Sequence, residues 1–195
     1  MMEYKELLKK WLRVLFYINL ISMIQTVVES VTNLGIVGQW ITKILAVVTF
    51  WCFFQLKDTN PRYRKAAIFS ALVFICRLIM PATRTASFGI TSALVLAGST
   101  FGWIVSYQVY HAHGEITAQW DAKLGKKWSN LFTWEILVSL AVSAVSVFGT
   151  TLLIAMDNLS GSLTTVILVL STILNLFLEG LYLLYMVQTL KLLEE

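Results

Sequence analysis

The chain has 195 residues, of which 57% are hydrophobic and only 13% are charged, and its net charge at pH 7 is +4. Soluble domains carry roughly 25% charged residues, so this chain has too little charge to cover a water-facing surface. Together with a mean hydropathy of +0.74, this indicates an integral membrane protein built from helices. Nothing resembles a basic groove for nucleic acid, so that function class is excluded.

Six apolar segments can be marked along the chain, at about residues 12–32, 39–56, 66–85, 90–110, 131–156 and 163–187. They predict an all-α, polytopic bundle of six transmembrane helices that forms one domain over residues 1–195. The third segment is unusual, because its apolar run from Ala66 to Met80 covers only about 22 Å of a ~30 Å hydrocarbon core. Either the bilayer thins there, or the helix continues past Pro81 as a kinked or broken span.

Positive charge predicts the orientation of the spans. Twelve of the fifteen basic residues fall on one side of a six-span arrangement: Lys5, Lys9, Lys10, Arg13, Lys57, Arg62, Arg64, Lys65, Lys123, Lys126, Lys127 and Lys191. Because basic residues concentrate in cytoplasmic loops, we expect both termini in the cytoplasm. The predicted location is the cell membrane, with several spans crossing the lipid bilayer.

The longest connection, residues 111–130, has apolar residues at every fourth position: Ile116, Trp120, Leu124 and Trp128. This spacing gives one apolar stripe on a helix, with lysines between its members. We therefore expect a short cytoplasmic interfacial helix between spans four and five. The alternative is a plain extension of the fourth span.

Polar residues in the first three spans suggest a binding site near their outer ends. Asn19, Ser22, Thr26 and Glu29 recur every three or four residues with Gln25 beside them, so they share one face of the first span. A polar stripe does not face lipid, and three cations lie at similar depth. The predicted substrate-binding residues are Asn19, Ser22, Gln25, Thr26, Glu29, Lys43, Arg77 and Arg84. The alternative is structural pairing of Glu29 with Lys43 or Arg77, with the other charges reaching the headgroups.

A second polar layer is predicted nearer the cytoplasm, where Glu135, Asn175 and Glu179 lie in spans five and six. A carboxyl group inside the membrane can hold or release a proton, so these residues are candidates for proton coupling or for partner contact. His111, His113 and Glu115 do not have the spacing of a strong metal site, and we expect no metal or other cofactor.

Small residues line one face of the fourth span, at Ala93, Ala97, Gly98 and Gly102. Such faces allow close helix packing, within the bundle or across an interface with a second copy or a partner subunit. Phosphate-loop, zinc-protease and paired-cysteine motifs are absent, and we do not expect an enzyme.

In size and in number of spans the chain resembles the substrate-binding S-components of energy-coupling-factor vitamin transporters. The resemblance covers the whole chain as a span count, and the first span reads VLFYINLISMIQ where those proteins carry a small-residue pattern. It implies a membrane subunit that binds a small solute.

The expected function is binding and transport of a small polar or anionic solute near the outer ends of spans one to three. The alternative is a sensor, accessory or assembly subunit that does not transport and acts through its cytoplasmic loops.

Overall fold

A computed structural model describes residues 2–32, 34–80, 88–155 and 160–194. The described chain is entirely helical, with six helices: α1 (Met2–Val31), α2 (Gly35–Leu56), α3 (Pro61–Ile79), α4 (Phe88–Thr117), α5 (Ala122–Ala155) and α6 (Ser160–Leu192). Each corresponds to one predicted apolar segment. The helices extend beyond those segments at the amphipathic flanks, because Lys, Glu and Leu are good helix formers whether or not they lie in lipid.

The third helix begins at Pro61, five residues before the apolar segment predicted from about residue 66. Pro61 occupies the first turn, and the Asn60 side chain accepts a hydrogen bond from the Arg62 amide at 2.9 Å. A proline at the helix start and an asparagine cap are both favourable because they leave no helix bond broken. The helix ends at Ile79. Pro81 and the predicted continuation to residue 85 lie outside the described residues.

A tight turn joins α4 to α5. Asp121 caps α5 by accepting hydrogen bonds from the amides of Lys123 and Leu124, at 2.8 and 3.1 Å. Gly114 and Gly125 let the two backbones approach closely, since a Cβ at Gly125 would lie 2.7 Å from the Gly114 carbonyl oxygen. The sequence had offered no reason to pair these two glycines.

The helices form a closed ring. Each one packs against its neighbours in the chain, and α6 packs back against α1. α3 therefore lies between α2 and α4, away from α1. This order decides which side chains can meet in the interior.

Most buried side chains lie at one end of the ring, which we call the packed end. It contains the start of α1, the α2–α3 and α4–α5 turns and the end of α6. Its core is Leu8, Leu12, Leu15, Ile18, Cys52, Phe53, Leu56, Tyr63, Ala66, Ala67, Val109, Ala112, Ile116, Leu124, Trp128, Leu131, Leu178, Tyr182, Leu183, Met186 and Leu193. The twelve basic residues used to predict the orientation lie on helices and turns at this end.

Four helices within the described residues are long and apolar enough to cross a membrane: Tyr4–Val31, Gly35–Leu56, Ile90–Thr117 and Val169–Leu192. Their outward faces carry large apolar side chains such as Ile36, Trp40 and Leu96, which are mostly exposed. Such extensive apolar surface is typical of contact with lipid rather than with water. The fold is therefore that of a helical membrane-associated protein.

The separate interfacial helix expected within residues 111–130 is not observed. α4 continues to Thr117, residues 118–121 form the turn, and α5 begins at Ala122. Ile116, Leu124 and Trp128 are buried in the core of the packed end, whereas Trp120 in the turn is 41% exposed. The four-residue spacing arises because two antiparallel helices present their apolar faces to the same core.

The two tryptophans of this hairpin give a matched pair of substitutions. Trp128→Ala should lower the free energy of unfolding by roughly 3–5 kcal/mol, because Trp128 is fully buried and its removal leaves a large cavity. Trp120→Ala should change it by about 0.5 kcal/mol or less. Unfolding of both variants in detergent micelles measures the difference, and equal losses would contradict the assignment of these side chains.

Candidate functional site

A cavity of about 210 Å³ lies inside the ring, next to the packed end. All four of the helices that are long and apolar enough to span a membrane contribute to its wall. The lining residues are Asn19 from α1, Thr49 and Phe53 from α2, Val105, Ser106, Val109 and Tyr110 from α4, and Glu179 and Tyr182 from α6. The cavity thus combines polar and aromatic groups within an apolar wall.

Most polar atoms in the wall are satisfied by the chain itself. Asn19 donates to the Leu15 carbonyl at 2.7 Å, and the Thr49 hydroxyl donates to the Leu45 carbonyl at 2.7 Å. Bonds of this kind, to the preceding turn of the same helix, let a polar side chain lie in an apolar environment at low cost. These residues are therefore compatible with a purely structural role.

Glu179 differs from them. Its Oε2 atom is buried and makes no hydrogen bond to any described residue. A buried carboxyl oxygen without a partner is costly, and such groups are rare in native proteins unless they serve a function. Glu179 is the group in this wall that calls for a partner from outside the described chain.

A second carboxyl group stands behind the wall. Glu135 on α5 accepts a hydrogen bond from the Ser106 hydroxyl at 2.9 Å. The side chain of Tyr110 interacts electrostatically with both Glu135 and Glu179. Among the described residues that line the cavity there is no lysine or arginine, so the local charge is negative or, with protonated carboxyls, neutral.

A chain of hydrogen bonds leads from the cavity into the packed end. The Tyr182 hydroxyl is 3.2 Å from His113 Nε2, and the Tyr63 hydroxyl is 2.7 Å from His113 Nδ1. A neutral imidazole donates from one ring nitrogen and accepts at the other, so it can satisfy both hydroxyls. Trp128 packs on the imidazole with ring centroids 4.7 Å apart and donates to Thr189 at 3.0 Å.

The predicted residues of the first span form a second polar region, at the end of the ring opposite the packed end. Gln25 Nε2 is within 3.0 Å of Glu29 Oε1, the Gly38 carbonyl oxygen and Thr42 Oγ1, and so joins α1 to α2. Beside it is an open groove of about 580 Å³. Its lining is Glu29, Ser30, Val31, Thr32, Leu34, Gly35, Gly38, Gln39 and Thr42.

Of the rest of the predicted stripe, Ser22 and Thr26 are half-buried on α1, and the Thr26 hydroxyl donates to the Ser22 carbonyl at 3.1 Å. Gly35 begins α2 with a φ of 52°, in the left-handed region that favours glycine. It allows the sharp turn that brings Gly38 and Thr42 alongside Gln25.

The cations predicted for this region do not contact those polar groups. Lys43 Nζ lies over the Trp40 ring, 4.8 Å from its centroid. Arg77 is exposed in the last turn of α3, where it complements the helix dipole. It does not pair with Glu29, because α3 packs against α2 and α4 rather than α1. Arg84 lies outside the described residues.

Of the three polar residues predicted nearer the cytoplasm, two lie at the cavity and the third does not. Glu179 lines the cavity, and Glu135 lies one hydrogen bond behind it. Asn175, one turn from Glu179, is exposed, since the ring packs less tightly away from the packed end.

The small residues of α4 do not all pack inside the ring: some contact a neighbouring helix and others are exposed. A Cβ at Gly98 would lie 3.6 Å from the Cβ of Cys76 on α3, which is ordinary packing within the ring. A Cβ at Gly102 would meet nothing within 4 Å, and Ala93 is exposed while Ala97 is half-buried. Contact with a second copy or partner through this face stays a prediction.

A polar cluster at the packed end had no signal in the sequence. Asn60 Nδ2 and Arg62 Nε donate to the two oxygens of Glu115, at 2.9 and 2.7 Å. Arg62 also reaches Gln108 at 3.4 Å. Glu115 thus pairs with α3, His113 with two tyrosines, and His111 with the Tyr107 carbonyl at 3.0 Å. The three side chains point to separate partners, which is unlike a shared metal site.

No family model matches the chain, and neither a characterised protein nor a solved structure is significantly similar to it. The resemblance to vitamin-transporter S-components therefore rests on the span count alone.

The hydrogen-bond chain can be tested through Tyr63. Tyr63→Phe should lower the free energy of unfolding by about 1–3 kcal/mol, because a buried ring nitrogen of His113 loses its partner. Tyr17→Phe is the control, since Tyr17 is 59% exposed, and its effect should be about 0.5 kcal/mol or less. Chemical unfolding in micelles gives both values; an unaffected Tyr63→Phe variant would show that this bond contributes nothing.

Proposed function

We propose that the chain is a six-span membrane protein that binds a small polar solute in the cavity and moves it across the bilayer. The observation that carries this proposal is the buried, unpartnered Glu179 oxygen in a cavity walled by four apolar helices. Both features are uncommon in cores that serve stability alone, where voids and unpaired buried polar atoms are few.

The depth of the cavity supports this proposal. Asn19 and Glu179 each lie within about three residues of the midpoints of their helices, α1 (Met2–Val31) and α6 (Ser160–Leu192). Transporters commonly bind their solutes near the bilayer midplane, where access can alternate between the two sides.

The polar face of α1 supports a route to the cavity. Asn19, Ser22, Gln25, Thr26 and Glu29 run from the cavity to the groove beside Gln25, over about 15 Å of helix. We assign the groove as an entrance rather than as the main binding site. An anion site there would require Lys43 and Arg77 to leave Trp40 and the end of α3 and turn towards α1.

We propose a location in the cell membrane with both termini, and hence the packed end, in the cytoplasm. The support is the concentration of basic residues at that end. α3 and α5 are then also spans, α3 being short and carrying four basic residues.

The topology can be read by labelling single cysteines from outside intact cells. Asp58→Cys and Gln119→Cys, at exposed positions in the α2–α3 and α4–α5 turns, should not react with an impermeant maleimide. Thr32→Cys, exposed at the other end, should react. Cys52 and Cys76 are free and buried, so their background is low. Labelling of Asp58→Cys from outside would contradict the orientation.

A sensor or assembly subunit is the second candidate, and one surface favours it. A groove of about 720 Å³ at the α2–α3 turn exposes aromatic and basic side chains together, a composition suited to a protein partner. Its lining is Phe50, Phe54, Lys57, Asp58, Pro61, Arg64, Ala67 and Ile68. Such a function would not depend on the cavity.

Blocking the cavity distinguishes the two functions. A panel of small cationic, neutral and anionic metabolites is screened for compounds that raise the melting temperature of the purified protein. Val105→Trp, which fills the cavity, should abolish the shift produced by any such compound, because the solute and the indole compete for one space.

Val95→Trp is the matched control on the same helix, at an outward-facing position that is 45% exposed. It should keep the full shift. Each shift is the difference between the melting temperatures of the same variant with and without the compound. A general loss of stability is therefore not mistaken for a loss of binding. A shift that persists in Val105→Trp would overturn the cavity as the solute site.

A further inference from the structure

The geometry of the cavity points to the class of solute: we infer that it binds a small organic cation of the ammonium type. This inference rests on the proposed function and adds to it a charge and a chemical class. It departs from the polar or anionic solute expected from the sequence.

The first argument is charge. Glu179 presents a buried carboxyl oxygen without a partner, and Glu135 stands directly behind Ser106. The described residues that line the cavity include no basic side chain to neutralise Glu179. A buried carboxylate is stable when a cation is held against it, so a cationic solute supplies what the wall lacks.

The second argument is the chemistry of the wall, which suits an organic cation better than a metal ion. Phe53, Tyr110 and Tyr182 place three aromatic rings around the cavity. Aromatic faces attract ammonium groups, and they also bury the attached carbon atoms. A calcium or magnesium ion would instead need about six oxygen ligands, and no group of three or more acidic, histidine or cysteine residues converges within the described chain.

The third argument is size. A volume of about 210 Å³ is more than ten times the ~10–15 Å³ of cavity volume, measured in the same way, that one water molecule needs. A bare alkali ion would leave most of this space to be filled by water against aromatic rings. A cation with several carbon atoms fills it and removes those apolar surfaces from water.

The test uses choline as a probe cation and neohexanol as its neutral isostere, in which carbon replaces the quaternary nitrogen. Dicyclohexylcarbodiimide modifies protonated carboxyl groups in apolar surroundings, and mass spectrometry of the wild-type protein follows the rate at Glu179. Bound choline keeps this carboxyl ionised and shielded. Its modification should slow with saturation, by about tenfold once choline is tenfold above its dissociation constant.

Neohexanol and potassium chloride at matched concentration and ionic strength should leave the rate unchanged. Equal protection by neohexanol would overturn the cationic class while leaving a solute site in place. Equal protection by potassium chloride would overturn the organic class. Absence of protection by choline would overturn the inference, whereas the proposed function falls separately, through the Val105→Trp comparison.

A second measurement tests whether binding of choline requires the negative charge of Glu179. Choline should raise the melting temperature of the wild-type protein and of Glu6→Gln, which removes an exposed glutamate at the packed end. It should not raise that of Glu179→Gln. A full shift in Glu179→Gln would also overturn the inference, and the labelling experiment remains decisive if this variant fails to fold.

Discussion

The contacts among Tyr63, His113, Trp128 and Tyr182 at the packed end hold four of the helices in one arrangement. These side chains come from α3, α4, α5 and α6, and each is almost completely buried. In lipid, apolar surface alone gives little preference for one helix neighbour over another, because lipid tails are as apolar as leucine. Directional hydrogen bonds through a single imidazole therefore specify which faces of these helices meet.

The cavity follows from this arrangement. Large aromatic residues close the ring at the packed end. The cavity lies beside them, and its wall consists of the side chains that the four apolar helices carry near their midpoints. Most of those groups bond to their own helices, and Glu179 does not. The contact between His113 and Tyr182 at the packed end thus sets the distance between α4 and α6, and with it the surroundings of the carboxyl group.

Local patterns were sufficient to predict the helices. Apolar run length located all six, although α3 begins at Pro61, ahead of its predicted segment. The periodicity of residues 116–128 also identified buried faces, but it was assigned to one helix instead of two, because period alone does not say whether the chain reverses between Ile116 and Leu124. The local signal of this reversal is Asp121, which caps α5, followed four residues later by Gly125.

Contacts between distant parts of the chain were beyond the reach of such patterns. The sequence placed Glu179 in a polar layer nearer the cytoplasm, but it gave no sign that Asn19 and Thr49 would lie in the same wall. It also treated Glu29 and Arg77 as neighbours on the basis of depth alone. Similar depth in the membrane does not make two residues neighbours, because they must also lie on adjacent helices. The order of helices around the ring separates α1 from α3, and a single sequence does not reveal that order.

Asn60 illustrates how narrowly one position can be constrained. Its side-chain oxygen accepts a hydrogen bond at the start of α3, and its side-chain nitrogen donates one to Glu115 on α4. The position therefore needs an acceptor for one helix and a donor for the other. Aspartate would preserve the cap but set a second carboxylate against Glu115. Serine would preserve the cap but is too short to extend an amide to α4, and glutamine would reach α4 but caps poorly. Among the twenty amino acids asparagine alone meets both demands, which makes this position a sensitive marker when related sequences are sought.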